Sequence, residues 1–256
     1  MEVLPFPSSR RAVTAAVRAG RRIAPMHGLF DVDVTEAHRR LVDHEPLSMT
    51  GFDTAAVARA AAAHPEVHAY RDWRGRLVRH RHVDVQTLVE VATAHGPFGL
   101  VHVVRDAGVR DVADISAELR GVQADLSSVP TGRALQRLAP LAGRVPGAFP
   151  AIYAVMRRSV RAHQLTGTVQ VTAVGMFAGG GDFALAPPTL ASVLVVGGLS
   201  RRPRVVGEHI AVRDVLDLTV TVDHNVVDGA PAARFGADLR RRMENPATEA
   251  GLTAGP

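Results

Sequence analysis

The order of hydrophobic and polar residues along the chain predicts a mixture of helices and strands. Apolar and polar positions alternate over 28–35 and 167–174, which is typical of strands with one buried face. Further strands are predicted over 77–93, 98–104, 192–196, 205–206 and 216–222. Helical spacing of apolar residues, or a run of alanines, predicts helices over 8–23, 53–63, 109–122, 149–158 and 231–242. Because these elements do not follow a regular strand–helix–strand order, they favour one α+β domain.

The length of the chain allows one large domain or two small ones, and its pattern favours one. Its 256 residues contain no internal repeat and no linker, so we expect a single domain over 1–256. Four prolines interrupt residues 121–165, which we expect to form an atypical, insert-like segment. Residues 247–256 are mostly small or polar and are expected to form a loose tail.

Composition excludes several kinds of chemistry. The chain has no cysteine, which excludes disulfides, thiolate metal sites and a cysteine nucleophile. All 30 of its Lys and Arg residues are arginine, so it cannot form a lysine Schiff base or carry lipoate or another cofactor on lysine. A net charge of +5 is compatible with an anionic ligand but too small to predict nucleic-acid binding. The chain lacks a signal peptide and any apolar run of roughly 18 residues, so we expect a cytoplasmic protein without membrane contact.

A histidine with the properties of a general base follows the apolar strand 218–222. His224 lies between that strand and a predicted helix, so the strand can hold its backbone while its side chain points into a cleft. Imidazole is the side chain best suited to accept a proton near neutral pH. Asp228 and Gly229 follow it closely, and the glycine permits a tight turn. On its own, this pattern also fits a histidine that is hydrogen-bonded at a turn and has no catalytic role.

The surrounding sequence resembles a known enzyme family. Residues 218–235, with the sequence LTVTVDHNVVDGAPAARF, are similar to the signature of the 2-oxo acid dehydrogenase acyltransferases, which share a fold with chloramphenicol acetyltransferase. Residues 167–177 resemble the family's strand and glycine turn, and 243–246 resemble its usual ending. The resemblance is strong from 166 to 246 and weak over 121–165. It implies a chloramphenicol acetyltransferase-like two-layer α+β sandwich with a mixed β-sheet.

The resemblance also implies a reaction and a set of residues. In this family a histidine takes a proton from a thiol or hydroxyl group, which then attacks the carbonyl carbon of an acyl thioester. His224 matches the general base, and Thr172 matches the hydroxyl that hydrogen-bonds the tetrahedral oxyanion. Asp228 matches an orienting, structural carboxylate that pairs with an N-terminal arginine, here Arg10. Because the related enzymes are homotrimers, we expect His224 of one chain to face Thr172 of its neighbour.

Some residues depart from the family pattern. Asn225 stands where the dehydrogenase members commonly have arginine, and the loop 178–183 is also unlike theirs. These regions would shape the ends of the site that receive the acceptor and the acyl carrier, so the substrate does not follow from the resemblance. We expect no permanently bound cofactor, acyl-CoA (acetyl-CoA) as co-substrate, and an acyl carrier protein as the alternative donor. His80 and His82 share a predicted strand face, but we expect them to be surface histidines and not metal ligands.

Three functions remain open at this point. We expect the sequence to begin directly in the catalytic domain, without a lipoyl or subunit-binding domain. This favours a stand-alone acyltransferase that acylates a hydroxyl group of a small molecule, such as a tetronate. The second function is a dihydrolipoamide acyltransferase core that works with a lipoyl domain in trans. The third is a non-catalytic trimeric scaffold, and the presence of His224, Thr172 and Asp228 argues against it.

Overall fold

The computed structural model describes most of the chain, namely residues 1–4, 6, 8–44, 46–93, 96–125, 145, 147–175 and 181–249. Its helices are α1 (Ser8–Gly20), α2 (Thr35–Asp43), α3 (Met49–Ala63), α4 (Val112–Ala124), α5 (Ala148–Arg158), α6 (Val160–Gln164) and α7 (Gly229–Glu244). Its strands are β1 (Pro25–Asp33), β2 (Tyr70–Arg71), β3 (Leu77–Val78), β4 (Val85–Thr93), β5 (Gly96–Val104), β6 (Val169–Ala173), β7 (Ser192–Val206) and β8 (His209–Asp223).

Six of these strands form one mixed sheet in the order β1-β8-β7-β6-β4-β5. β6 runs parallel to both β4 and β7, whereas the other neighbouring pairs are antiparallel. β2 and β3 form a separate two-stranded hairpin. The predicted α+β class with a mixed sheet is therefore confirmed.

The main core lies between one face of this sheet and the helices α3, α4 and α7. α3 is buried on nearly all sides, because alanines occupy most of its surface and let it approach its neighbours closely. Phe52 of α3 and Phe235 of α7 are among the largest fully buried side chains. Burying a side chain of this size stabilises a fold by roughly 1.5–3 kcal/mol. The packing of α3 and α7 therefore holds the sheet whose strand ends carry the site described below.

Several elements differ from the prediction made from the hydrophobic pattern. α2 was not predicted, because most of its residues are polar; ion pairs of Glu36 with Arg39 and Arg40, one turn away, support it. The predicted strand 77–93 is interrupted, and only β3 and β4 within it are strands. β7 and β8 are longer than predicted, since Gly207, with a φ of 60°, closes them into one hairpin.

The predicted insert-like segment and tail are described only in part. Residues 126–144 and 146 of the insert, and 250–256 of the tail, lie outside the described residues. Glu249 is fully buried and forms ion pairs with Arg59 and Arg242, so the chain is still anchored beyond 247, where a loose tail was predicted to begin. Among the described helices, none is long and apolar enough to cross a membrane.

Candidate active site

His224 follows β8 directly and begins the turn that leads to α7. Its Nδ1 lies 3.0 Å from the carbonyl oxygen of Val227. Since a carbonyl can only accept a hydrogen bond, Nδ1 carries the proton in the neutral ring and Nε2 keeps its lone pair. About half of the side chain is exposed to solvent. His224 is therefore held in the tautomer that suits a general base acting through Nε2.

A residue that the sequence reasoning missed holds the turn around His224. Asp223 is 8% exposed, and its carboxylate accepts hydrogen bonds from the backbone N–H groups of Ala24 and Asn225 at 3.1 and 3.0 Å. The Asn225 side chain donates to the same carboxylate oxygen at 2.8 Å and to the carbonyl of Arg22 at 3.2 Å. The sequence did contain a signal, because an aspartate at a strand end often accepts hydrogen bonds from the backbone two residues later.

Asp228 lies beside His224, and its predicted partner Arg10 lies on α1. One carboxylate oxygen of Asp228 is 3.8 Å from His224 Nδ1, and 88% of its side chain is exposed. Arg10 is exposed and lies in the first turn of α1, about 15 Å along the helix axis from its last residue. The segment after α1 reaches the His224 turn through the carbonyls of Arg22 and Ala24. Among the described residues, the ion pair of Asp228 is with His224, so the pairing with Arg10 stays a prediction.

Thr172 lies on β6, in the middle of the sheet, on the face opposite the main core. Its neighbour Val171 belongs to that core, and side chains alternate between the two faces of a strand. Thr172 is 6% exposed, and its hydroxyl makes no hydrogen bond to the described residues. A Cβ at Gly175 would lie 1.6 Å from the Gly197 carbonyl oxygen, so only glycine fits the turn after β6. The unusual loop 178–183 begins after this turn, and its residues 178–180 lie outside the described residues.

The register of the sheet separates His224 from Thr172 within one chain. Thr172 pairs with Val195 on β7, Val195 pairs with Thr219 on β8, and His224 comes five residues after Thr219. Two strand spacings and five residues of strand correspond to about 10 Å across the sheet and about 17 Å along it. The two side chains of a single chain therefore cannot contact the same reacting atoms. If they act together, they come from two copies of the chain.

A mostly apolar groove of about 350 Å³ lies between β1 and α7, next to the end of β8. Small residues on α7 leave this space open, and the lining includes Gly229, Ala232, Ala233, Gly236 and Ala237. A second cleft, of about 400 Å³, is lined mainly by charged residues, and there Asp31 and Asp33 of β1 form ion pairs with Arg204 and Arg213. These two aspartates therefore hold the edge strand against the β7–β8 hairpin.

His80 is buried, and its predicted position on the surface is wrong. Its ring centroid lies 5.7 Å from that of Tyr70 and 6.0 Å from that of His163. The rings of Tyr70 and His163 stack face to face at 3.7 Å. His82 is exposed and lies 3.2 Å from a carboxylate oxygen of Asp106. In the part of the chain that the structure describes, no three histidine, aspartate or glutamate side chains are placed to bind a metal ion.

Comparisons with known protein sequences identify a family in the C-terminal part of the chain. The family model described as "2-oxoacid dehydrogenases acyltransferase (catalytic domain)" matches residues 153–250. The dihydrolipoyllysine-residue acetyltransferase component of the pyruvate dehydrogenase complex of Rickettsia bellii is 25% identical over 209 residues. The match covers 78% of this chain and 40% of that protein, so the chain spans less than half the length of this relative.

Solved structures give the fold. The dihydrolipoamide acetyltransferase of Azotobacter vinelandii matches with a TM-score of 0.70 and 20% identity, over 97% of this chain and 93% of that chain. A chloramphenicol acetyltransferase matches with a TM-score of 0.54 and 15% identity, over 95% and 98% of the two chains. The predicted chloramphenicol acetyltransferase-like fold is therefore confirmed. Residues 153–250 are therefore similar to the catalytic domain of the 2-oxoacid dehydrogenase acyltransferases, and the chain has the fold of such catalytic domains.

Proposed function

We propose that this protein transfers an acyl group, expected to be acetyl, between the thiol of coenzyme A and a dihydrolipoyl group. The class of its relatives supports this acceptor, the second of the three sequence-based alternatives, over the hydroxyl group of a small molecule. The chain contains no lysine, so the lipoyl group would be attached to residues outside this sequence. The observation that carries the proposal is the His224 ring, with Nδ1 bonded to Val227 and Nε2 free to accept a proton.

The reaction proceeds by direct attack, with His224 as the base. Nε2 takes the proton of the attacking thiol, and the sulfur adds to the carbonyl carbon of the acyl thioester. The tetrahedral intermediate carries a negative oxygen, to which Thr172 of a neighbouring copy donates a hydrogen bond. When the intermediate collapses, the bond from carbon to the original sulfur breaks, and that sulfur takes the proton from His224. One carboxylate oxygen of Asp228 lies 3.8 Å from Nδ1 of the ring that holds the proton between these two steps.

We infer that the active unit is a homotrimer with its sites between chains. The separation of His224 and Thr172 along the sheet supports this, because only a second copy can supply the missing partner. A closed ring of three copies gives every chain the same pair of contacts. Arg21 and Arg22 are exposed beside the His224 turn, and their charge suits the phosphates of coenzyme A.

Mass spectrometry of a reaction between acetyl-CoA and dihydrolipoamide tests the activity. We expect S-acetyldihydrolipoamide and free coenzyme A in equal amounts. His224→Ala is expected to lower kcat by about 10²–10⁴-fold, and Thr172→Val by about 10²–10³-fold. Thr219→Val is the matched control, because Thr219 is a buried threonine on the same sheet face with no hydrogen-bond partner among the described residues. Acetylation of hydroxyl acceptors alone would support the first sequence-based alternative, and no turnover with any acceptor would support a scaffold.

Mixing two inactive variants tests whether the site is shared between chains. When His224→Ala and Thr172→Val chains are produced together, some interfaces combine an intact His224 with an intact Thr172. We therefore expect activity to return in the mixture, although each variant alone is inactive. Light scattering of the purified mixture is expected to give the mass of a trimer. A trimer that stays inactive after mixing would contradict a site built from His224 and Thr172 of different chains.

A further inference from the structure

The orientation of the exposed His224 imidazole depends on contacts made by other residues. About half of the side chain is in solvent, and its one hydrogen bond within the described residues goes to the Val227 carbonyl, at 3.0 Å. Because a single hydrogen bond holds this exposed ring, that bond sets the orientation of the ring. The direction of Nε2 therefore depends on what holds Val227 and the backbone of His224 in place.

Asp223 holds the Val227 end of this arrangement. Its backbone carbonyl accepts hydrogen bonds from the N–H groups of Val226 and Val227, at 2.9 and 3.0 Å. Its carboxylate, almost completely buried, accepts the backbone N–H of Asn225 at 3.0 Å from within the same turn. The backbone carbonyl and one carboxylate oxygen of Asp223 therefore close the turn that presents the Val227 carbonyl to His224.

Asn225 and residues 22–24, which follow α1, hold the backbone of His224. The backbone N–H of His224 donates to the Ala24 carbonyl at 2.8 Å, and the Ala24 N–H donates to the Asp223 carboxylate at 3.1 Å. The Asn225 side-chain amide lies between the Asp223 carboxylate, at 2.8 Å, and the Arg22 carbonyl, at 3.2 Å. It therefore bridges the turn and residues 22–24 with both of its N–H groups.

We propose that Asp223 and Asn225 form a clamp that sets the direction of His224 Nε2, and that both are positioning residues for the acyl transfer. This rests on the proposed function, in which Nε2 is the base. The clamp consists entirely of contacts within one chain, so the histidine is oriented before a second copy supplies Thr172. At position 225, where asparagine replaces the family's usual arginine, the short amide lets the bridge close between two oxygens of the same chain.

Removing the clamp should affect the chemical step more than substrate binding. For Asn225→Ala we expect kcat to fall by about 10-fold, and for Asp223→Ala by about 10²-fold, with KM for acetyl-CoA unchanged, because misdirecting a base by about 1 Å costs rate. Asp223→Asn keeps an acceptor oxygen at the same place and is expected to recover most of the rate. Asp43→Ala is the control, since Asp43 is an exposed carboxylate on α2.

Nitrogen-15 NMR of the histidine rings tests the clamp without relying on activity. The His224 signals are assigned by comparison with His224→Ala, and at pH 8 the native ring is expected to be mainly the Nδ1–H tautomer. Asn225→Ala should produce a mixture of both tautomers with an unchanged Tm. If Asn225→Ala and Asp223→Ala both leave the tautomer and kcat at native values, the clamp is disproved. If the tautomer shifts as expected but native protein has no acyltransfer activity, the clamp stands and the proposed function fails.

Discussion

Replacing His163 by phenylalanine is expected to remove a large part of the protein's sensitivity to acid. His163 of α6 stacks on Tyr70, with ring centroids 3.7 Å apart, and its Nδ1 is buried without a partner among the described residues. Burial, and then the charge of nearby His80, lowers the pKa of His163 to about 4. Phenylalanine keeps the aromatic stack and removes the titratable group.

The magnitude follows from linkage between protonation and folding. An unfolded histidine titrates near pH 6.5, so between pH 6.5 and 4 the unfolded chain binds a proton that the native protein does not. Native stability therefore falls as the pH decreases through this window. A difference of about 2.5 pKa units costs about 2 kcal/mol at pH 5, relative to pH 7.5, and about 3 kcal/mol below pH 4.

Urea unfolding followed by the fluorescence of Trp73 measures this effect at one protein concentration. Trp73 is the only tryptophan, and its Nε1 donates to the Arg158 carbonyl at the end of α5, next to α6. Between pH 7.5 and 5, His163→Phe should lose about 2 kcal/mol less than the native protein. His82→Phe is the control, because that histidine is exposed. Equal losses in His163→Phe and the native protein would refute the reasoning.

Four further substitutions test other parts of the fold. Burial raises the pKa of Asp53 to about 8, so native stability falls as the pH rises from 4 to 8. In urea unfolding, Asp53→Asn should therefore be more stable than the native protein by up to about 5 kcal/mol at pH 8. Near pH 4 its stability should be little changed. Glu249→Ala should cost about 3–5 kcal/mol in the same assay, because it leaves Arg59 mostly buried without its carboxylate. Gly175→Ala should abolish soluble expression, whereas Gly121→Ala, where a Cβ meets nothing within 4 Å, should stabilise α4.

Local sequence signals predicted most of the helices and strands. The strands with alternating polarity and the alanine-rich α3 were found because burial of one face, or close packing, leaves a periodic trace in the sequence. α2 left only a short trace, since two buried apolar residues, Ala37 and Leu41, lie among mostly polar ones. The full length of the β7–β8 hairpin was missed as well, because arginines occupy much of its outer half.

Part of the candidate site was also predictable from local sequence, and part of it was not. His224 and Asp228 were identified from a short stretch of sequence, and the structure places them 3.8 Å apart in one turn. The pairing of Asp228 with Arg10 stays a prediction, because it depends on how distant parts of the chain pack together. The anchoring of Asn225 to the Arg22 carbonyl joins residues that are 203 positions apart, and no local pattern reports such a contact.

The sequence by itself determined which chemistry is available: a histidine at a strand end, a threonine before a glycine turn, and no lysine or cysteine. These properties are local, because they depend on residue type and on the few positions around each residue. The tertiary structure alone decided that Thr172 and His224 lie far apart on one sheet, and that Asp223 orients the turn. Strand order and register arise from packing of the whole core, and under the proposed function they require two copies of the chain for one site.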